Sequence, residues 1–146
     1  MKLPHKFDHY INKGIVRKIT PDKSRSEFLT HEAKISKKGL DERIKIMGIN
    51  ELNTNSIIKD CYDIIMQTIR AKLLRIGLSS SGNYAHEAEV AYLKELNFSD
   101  NEISFLNELR YIRNSIVYYG KILDSEYAEK VYDFLNKIIP QLKQNQ

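Results

Sequence analysis

Apolar residues along this chain recur at intervals of three and four, the period of a helix with one buried side. Leu29, Ala33, Leu40, Ile44 and Met47 mark a first long helix that runs up to Gly48. Its start is predicted at Thr20-Pro21-Asp22, with Thr20 as N-cap, Pro21 in the first turn and an acid beside the positive helix end. Gly39 weakens the middle without ending it. After Asn53-Thr54-Asn55, a second helix is marked by Ile58, Cys61, Ile65, Ile69 and Leu73. Ile57, Ile64 and Ile76 widen that stripe around much of the circumference, which predicts a central position, with Gly77 as the stop.

Ser79 to Asn83, SSSGN, reads as a loop. A short helix follows from about Tyr84 to Leu96, with Ala88, Ala91, Tyr92 and Leu96 inward. Ser99 and Glu102 form a capping box that opens the fourth helix, which reaches Gly120. Asp124 or Ser125 caps the fifth, where Ala128, Val131, Leu135, Ile138 and Leu142 make a clean stripe and Pro140 is expected to kink or end the helix. Ile15 to Thr20 is the one candidate strand, and it is short. The expected class is all-α: four longer helices and one short one, joined by short connections as in an antiparallel bundle.

Composition adds limits. At 146 residues, with 42% hydrophobic and 29% charged, one ordinary globular domain is expected. No apolar run approaches the ~18–20 residues of a membrane span, and MKLPHKFDHY lacks the hydrophobic run of a secretory signal. A cytoplasmic location is therefore expected. Cys61 is the single cysteine, so an intrachain disulfide is excluded, and its place on an apolar face predicts inert packing. The net charge of +4 gathers near the start, where Lys2, Lys6, Lys13, Arg17, Lys18, Lys23 and Arg25 meet only Asp8 and Asp22. Residues 1–19 read as a basic arm before a domain at 20–143. Such an arm could touch phosphates, although a solvated tail is the plainer reading. No Gly-rich phosphate loop or His-Glu-x-x-His is present. His5 and His9 have metal-like spacing without acidic partners, so neither a metal nor a cofactor is expected.

The fourth helix carries the candidate chemistry in Arg110 to Gly120, RYIRNSIVYYG. Phe105, Leu109, Ile112, Ile116 and Tyr119 share one broad face, bordered by Leu106 and Val117. Arg113 falls between Leu109 and Ile116, where a guanidinium is costly unless paired or open to water. It is the strongest functional candidate among the arginines. Tyr111, Asn114 and Tyr118 make a second stripe, suited to a subunit interface or to stacking on bases. Plainer roles are also open: Arg113 paired with Asp60 or Asp63, Asn114 bonded to a carbonyl, Tyr118 and Tyr119 packed at the helix end.

Arg113 to Gly120, RNSIVYYG, resembles the motif of the HEPN family (higher eukaryotes and prokaryotes nucleotide-binding domains): an arginine, a polar residue, an apolar run and an aromatic end. TIRAKLLRIGL (Thr68 to Leu78) and IVRKITPDKSRSEFL (Ile15 to Leu29) are similar to other parts of such proteins, so the resemblance spans roughly residues 20–142. It implies an up-and-down four-helix bundle with one additional short helix, usually a homodimer. In active members, Arg-x(4–6)-His from both subunits cleaves RNA without a metal. The histidine moves the proton of a ribose 2′-hydroxyl and the arginine neutralises the phosphate. Here the histidine positions hold Tyr118, Tyr119 and Gly120, and a phenol is only about one part in a thousand ionised at neutral pH. The variant Arg-x(4)-His-x-Tyr is unmatched too, since its tyrosine would fall on Gly120. Of His5, His9, His31 and His86, only His86 is a candidate to return in three dimensions.

The resemblance therefore implies a catalytically degenerate, dimeric RNA- or nucleotide-binding module. Arg113 would contact phosphate, Asn114 would bond the ligand or orient Arg113, and Tyr118, with Tyr111 on the same stripe, would stack or donate from its hydroxyl. The alternative is a metal-independent ribonuclease, the toxin of a toxin–antitoxin pair with a nucleotidyltransferase partner. A helical interaction domain, with the tyrosines forming only a dimer, is a third reading.

Overall fold

The computed structural model describes residues 2–144. Helix α1 (Phe7–Asn12) and strand β1 (Val16–Lys18) precede two long helices, α2 (Lys23–Met47) and α3 (Thr54–Arg75). Strand β2 (Leu78–Ser80) leads into α4 (Ala85–Ala91), which tightens into a 3-10 turn over Tyr92–Lys94. Helices α5 (Asp100–Tyr119) and α6 (Ser125–Gln144) complete a mainly helical fold. Among the described residues, no helix is long and apolar enough to cross a membrane.

Helix α3 holds the centre because apolar residues surround it on three sides. Fourteen of its 22 residues are buried, and it packs against α2, α4, α5, α6 and β2. Cys61 is fully buried there, and that burial pushes its thiol up to about 12. Helix α5 starts at the expected capping box: Glu102 N donates to Ser99 Oγ at 3.1 Å and Ser99 N to Glu102 Oε1 at 3.0 Å. It stops at Gly120, whose φ of 65° suits a residue without a side chain. Asp124, rather than Ser125, caps α6 by accepting from Tyr127 N at 2.8 Å.

Several sequence expectations are corrected. The N-cap of α2 is Asp22, which accepts from Arg25 N at 3.0 Å. Thr20 lies outside because Ile19 N and Asp22 N donate instead to Gly77 O and Leu74 O, both at 2.9 Å. Pro140 does not end α6: it lies exposed within a helix held on its other side by buried Ile138, Ile139 and Leu142. Ser79 and Ser80 are not loop but strand, paired antiparallel as Arg17↔Ser79 and Val16↔Ser80. The regular helix of α4 ends at Ala91, short of Leu96.

Residues 2–19 of the expected basic arm are docked, not a solvated tail. Phe7 and Tyr10, three positions apart on α1, are both buried, and the Phe7 ring meets Tyr92 at 5.0 Å. The chain start is tied down where Asn107 Nδ2 donates to Lys2 O at 3.3 Å. The basic side chains Lys6, Lys13, Arg17 and Lys18 stay exposed on this docked segment.

Gly77 makes the turn from α3 into β2. Its φ is +84°, and a Cβ there would stand 2.7 Å from Ile19 O. Gly77→Ala is expected to destabilise the fold by about 1–3 kcal/mol from backbone strain, with the carbonyl clash added. Urea denaturation of the two proteins measures the difference.

Candidate functional site

Arg113 sits on α5 facing α3, three-quarters buried along an apolar helix face. Its Nη2 is 3.6 Å from Asp63 Oδ1, too long for a hydrogen bond. Its Nε is buried with no hydrogen-bond partner among the described residues. The guanidinium lies 5.8 Å from the centre of the Tyr62 ring. Asp60, the other expected partner, is engaged by Arg43 at 2.8 Å. The Asp63 carboxyl is raised above the usual range, chiefly by burial, with Arg113 acting against that rise and Asp60 adding to it. A guanidinium has five donors, and this one is left with an ion pair of the weak, half-exposed kind.

His86 reaches the same place from α4. Its Nδ1 is 3.2 Å from the hydroxyl of buried Tyr62. Although the residue as a whole is exposed, burial of the ring lowers the histidine below its usual value. Glu89 and Asp63 oppose that shift, while Arg70 and Arg113 add to it. Burial likewise lifts Tyr62 above the ordinary phenol range, with Arg110 and Arg113 among the opposing charges. At neutral pH the pair is thus a neutral imidazole against a neutral phenol, within the field of Arg113. The turn from β2 into α4 achieves this across 27 positions of sequence.

Arg110, one turn earlier, is fully employed. It donates to Glu87 Oε1 at 3.2 Å, and to Asn107 Oδ1 at 3.2 and 3.1 Å from Nε and Nη2. Its guanidinium also stacks on the Tyr111 ring at 4.4 Å, where the Lys2 ammonium stands at 4.7 Å. Tyr111 is therefore partly covered by two cations. Asn114 is half-buried, and its side chain makes no hydrogen bond among the described residues. Tyr118 is 71% exposed. Tyr119, expected on the core face, is 84% exposed because the last turn of α5 runs past Ile116, where core packing stops. Exposed Val117 and Ile122 extend this apolar end.

One network was not foreseen. Glu89 is fully buried and forms a two-point pair with Arg70, Nε to Oε2 at 2.8 Å and Nη2 to Oε1 at 2.9 Å. Ser80 Oγ adds a bond at 3.1 Å. The clue in the sequence was position: Glu89 lies four residues after Ala85 and three before Tyr92, an inward place on α4. The pair joins α3, β2 and α4, and so fixes where His86 stands.

Among the described residues, no three His, Cys, Asp or Glu side chains converge as metal ligands. His5 and His9 stack on each other with ring centres 4.1 Å apart. The chain matches no family model, no curated protein and no solved structure.

Proposed function

We propose that this chain is a HEPN-like domain of the cytoplasm, an up-and-down four-helix bundle with one added short helix, that pairs as a homodimer and binds RNA or a nucleotide. The observation that carries this reading is the guanidinium of Arg113. It is held beside the Tyr62 ring, makes no hydrogen bond among the described residues, and meets the half-exposed Asp63 carboxylate at a distance too long for one. A phosphate oxygen offers what that group lacks: a strong, planar-compatible acceptor. Asn114 supplies an unengaged amide beside it, Tyr118 an exposed ring for a base, and Tyr111 a partly covered one. With Tyr118, Tyr119 and Gly120 at the positions of the motif histidine, the module holds RNA without cutting it.

Fluorescence anisotropy with a short single-stranded RNA at low salt tests this. Affinity is expected to fall as salt rises, and Arg113→Ala is expected to weaken it about tenfold or more while flattening the salt slope by about one. Sizing chromatography should show the variant still dimeric. If neither RNA nor nucleotides bind at low salt, the exposed Val117, Tyr118, Tyr119 and Ile122 remain as the surface of an interaction domain only.

His86 favours a second reading, a metal-independent ribonuclease acting as a toxin beside a nucleotidyltransferase. A neutral imidazole on the Tyr62 that Arg113 also faces can take the 2′-hydroxyl proton as that oxygen attacks phosphorus. The 5′-oxygen leaves and is protonated from water, giving a 2′,3′-cyclic phosphate and a 5′-hydroxyl. RNA cleavage in EDTA, lost in both His86→Ala and Arg113→Ala, would replace the binding reading with this one.

A further inference from the structure

A cavity of about 470 Å³ opens on the other side of α3, between its C-terminal turns and the start of α2. With α3 advancing about 100° per residue, Lys72 and Arg75 project away from the side that carries Tyr62 and Asp63. Lys72 lines this cavity while only 8% exposed. It forms no hydrogen bond or ion pair among the described residues. Lys23 and Arg75 line it as well, and Glu27 is its one acid. Three cations against one carboxylate leave two positive charges. Ile76, Tyr92 and Leu96 add apolar lining. The size is within the ordinary range for a small-molecule site.

We propose that this cavity is a second ligand site, independent of Arg113, which takes a phosphate monoester carrying an apolar or aromatic body of mononucleotide size. The dianionic phosphate neutralises the two excess charges and offers the Lys72 ammonium, which has no protein acceptor among the described residues, acceptors in place of solvent. The body of the ligand lies against Tyr92 and Leu96. The walls are firm: Ser26 Oγ donates to Ala71 O at 2.7 Å and joins the two helices beside the cavity. Burial alone holds the Lys72 amine below the usual lysine range, with no acid acting on it. Its nitrogen keeps some contact with solvent, so the partial desolvation of this unpaired ammonium has a small cost, and its removal has an expected sign of its own.

Adenosine monophosphate and inorganic phosphate serve as probes, titrated at millimolar concentration into the full chain. Binding is followed by amide shifts of Ala71 and Leu96. The monophosphate is expected to bind at least about tenfold tighter than inorganic phosphate. Lys72→Met and Lys72→Gln should each weaken the binding reported by the Ala71 and Leu96 amides by at least about tenfold, while Arg113→Ala, whatever it does to a nucleotide at its own site, leaves those two shifts in place. Lys72→Met should also raise Tm, which separates a lost ligand contact from a damaged fold. The proposal is overturned if the wild type binds neither probe, or if both Lys72 variants bind as the wild type does. It is overturned equally if inorganic phosphate binds as tightly as the monophosphate, or if Arg113→Ala abolishes the effect.

Discussion

Arg70→Ala lowers the unfolding free energy by about 3–5 kcal/mol, measured by urea denaturation. The reason is the carboxylate it leaves behind. Glu89 is fully buried on α4, and its two oxygens are met by the Arg70 guanidinium and, more weakly, by Ser80. A buried charge stripped of its counterion loses far more than an exposed pair is ever worth. Glu89→Ala costs less, since the remaining Arg70 side chain is 32% exposed and can turn toward water. Adding Glu89→Gln to Arg70→Ala recovers much of the loss by removing the stranded charge. A double-mutant cycle measures that coupling directly. If Arg70→Ala is no worse than a surface substitution, Glu89 is not held as its two-point geometry requires.

That pair also marks the limit of what the linear sequence reveals. Local signals were legible: the Ser99/Glu102 box, the Gly120 stop, and the three-sided apolar pattern of α3 each act within a few residues. The pairing of β1 with β2 was not. It joins three-residue segments about sixty positions apart, and serines at 79 and 80 carry turn rather than strand preference. The docking of α1 was partly visible, because Phe7 and Tyr10 already have helical spacing inside a stretch otherwise marked by its lysines. At the candidate site, the position of Arg113 on an apolar face was readable by projection. The meeting of His86, Tyr62 and Arg113 was not, for it depends on the β2–α4 turn and on the buried Arg70–Glu89 pair. Sequence also placed Tyr119 on the core face by periodicity alone. Periodicity carries no information about where along a helix the neighbouring helices stop.

Leu40→Ala is expected to cost about 2–5 kcal/mol, and its effect should concentrate on one helix. Helix α2 has 25 residues, yet the described ones that it buries are Ser26, Ala33 and Leu40. Leu40 is the single large apolar side chain among these, fully buried against the core. Its other ties include the Ser26 bond to Ala71 near its start, and, toward its end, the Tyr132 hydroxyl donating to Asp41 at 2.6 Å, the Arg43 pair with Asp60 at 2.8 Å and partly buried Ile44. Phe28, Ile35, Ile46 and Met47 face outward and offer no substitute. Hydrogen exchange should therefore show α2 opening at lower free energy than α3, α5 and α6 in Leu40→Ala. Because α2 forms one wall of the Lys72 cavity, monophosphate binding should weaken with it. On the proposed RNA-binding reading, Arg113, on α5 facing α3, should keep its contribution to affinity. Equal loosening of all four long helices would mean that α2 unfolds only with the whole domain, and that the two sites are not energetically separable.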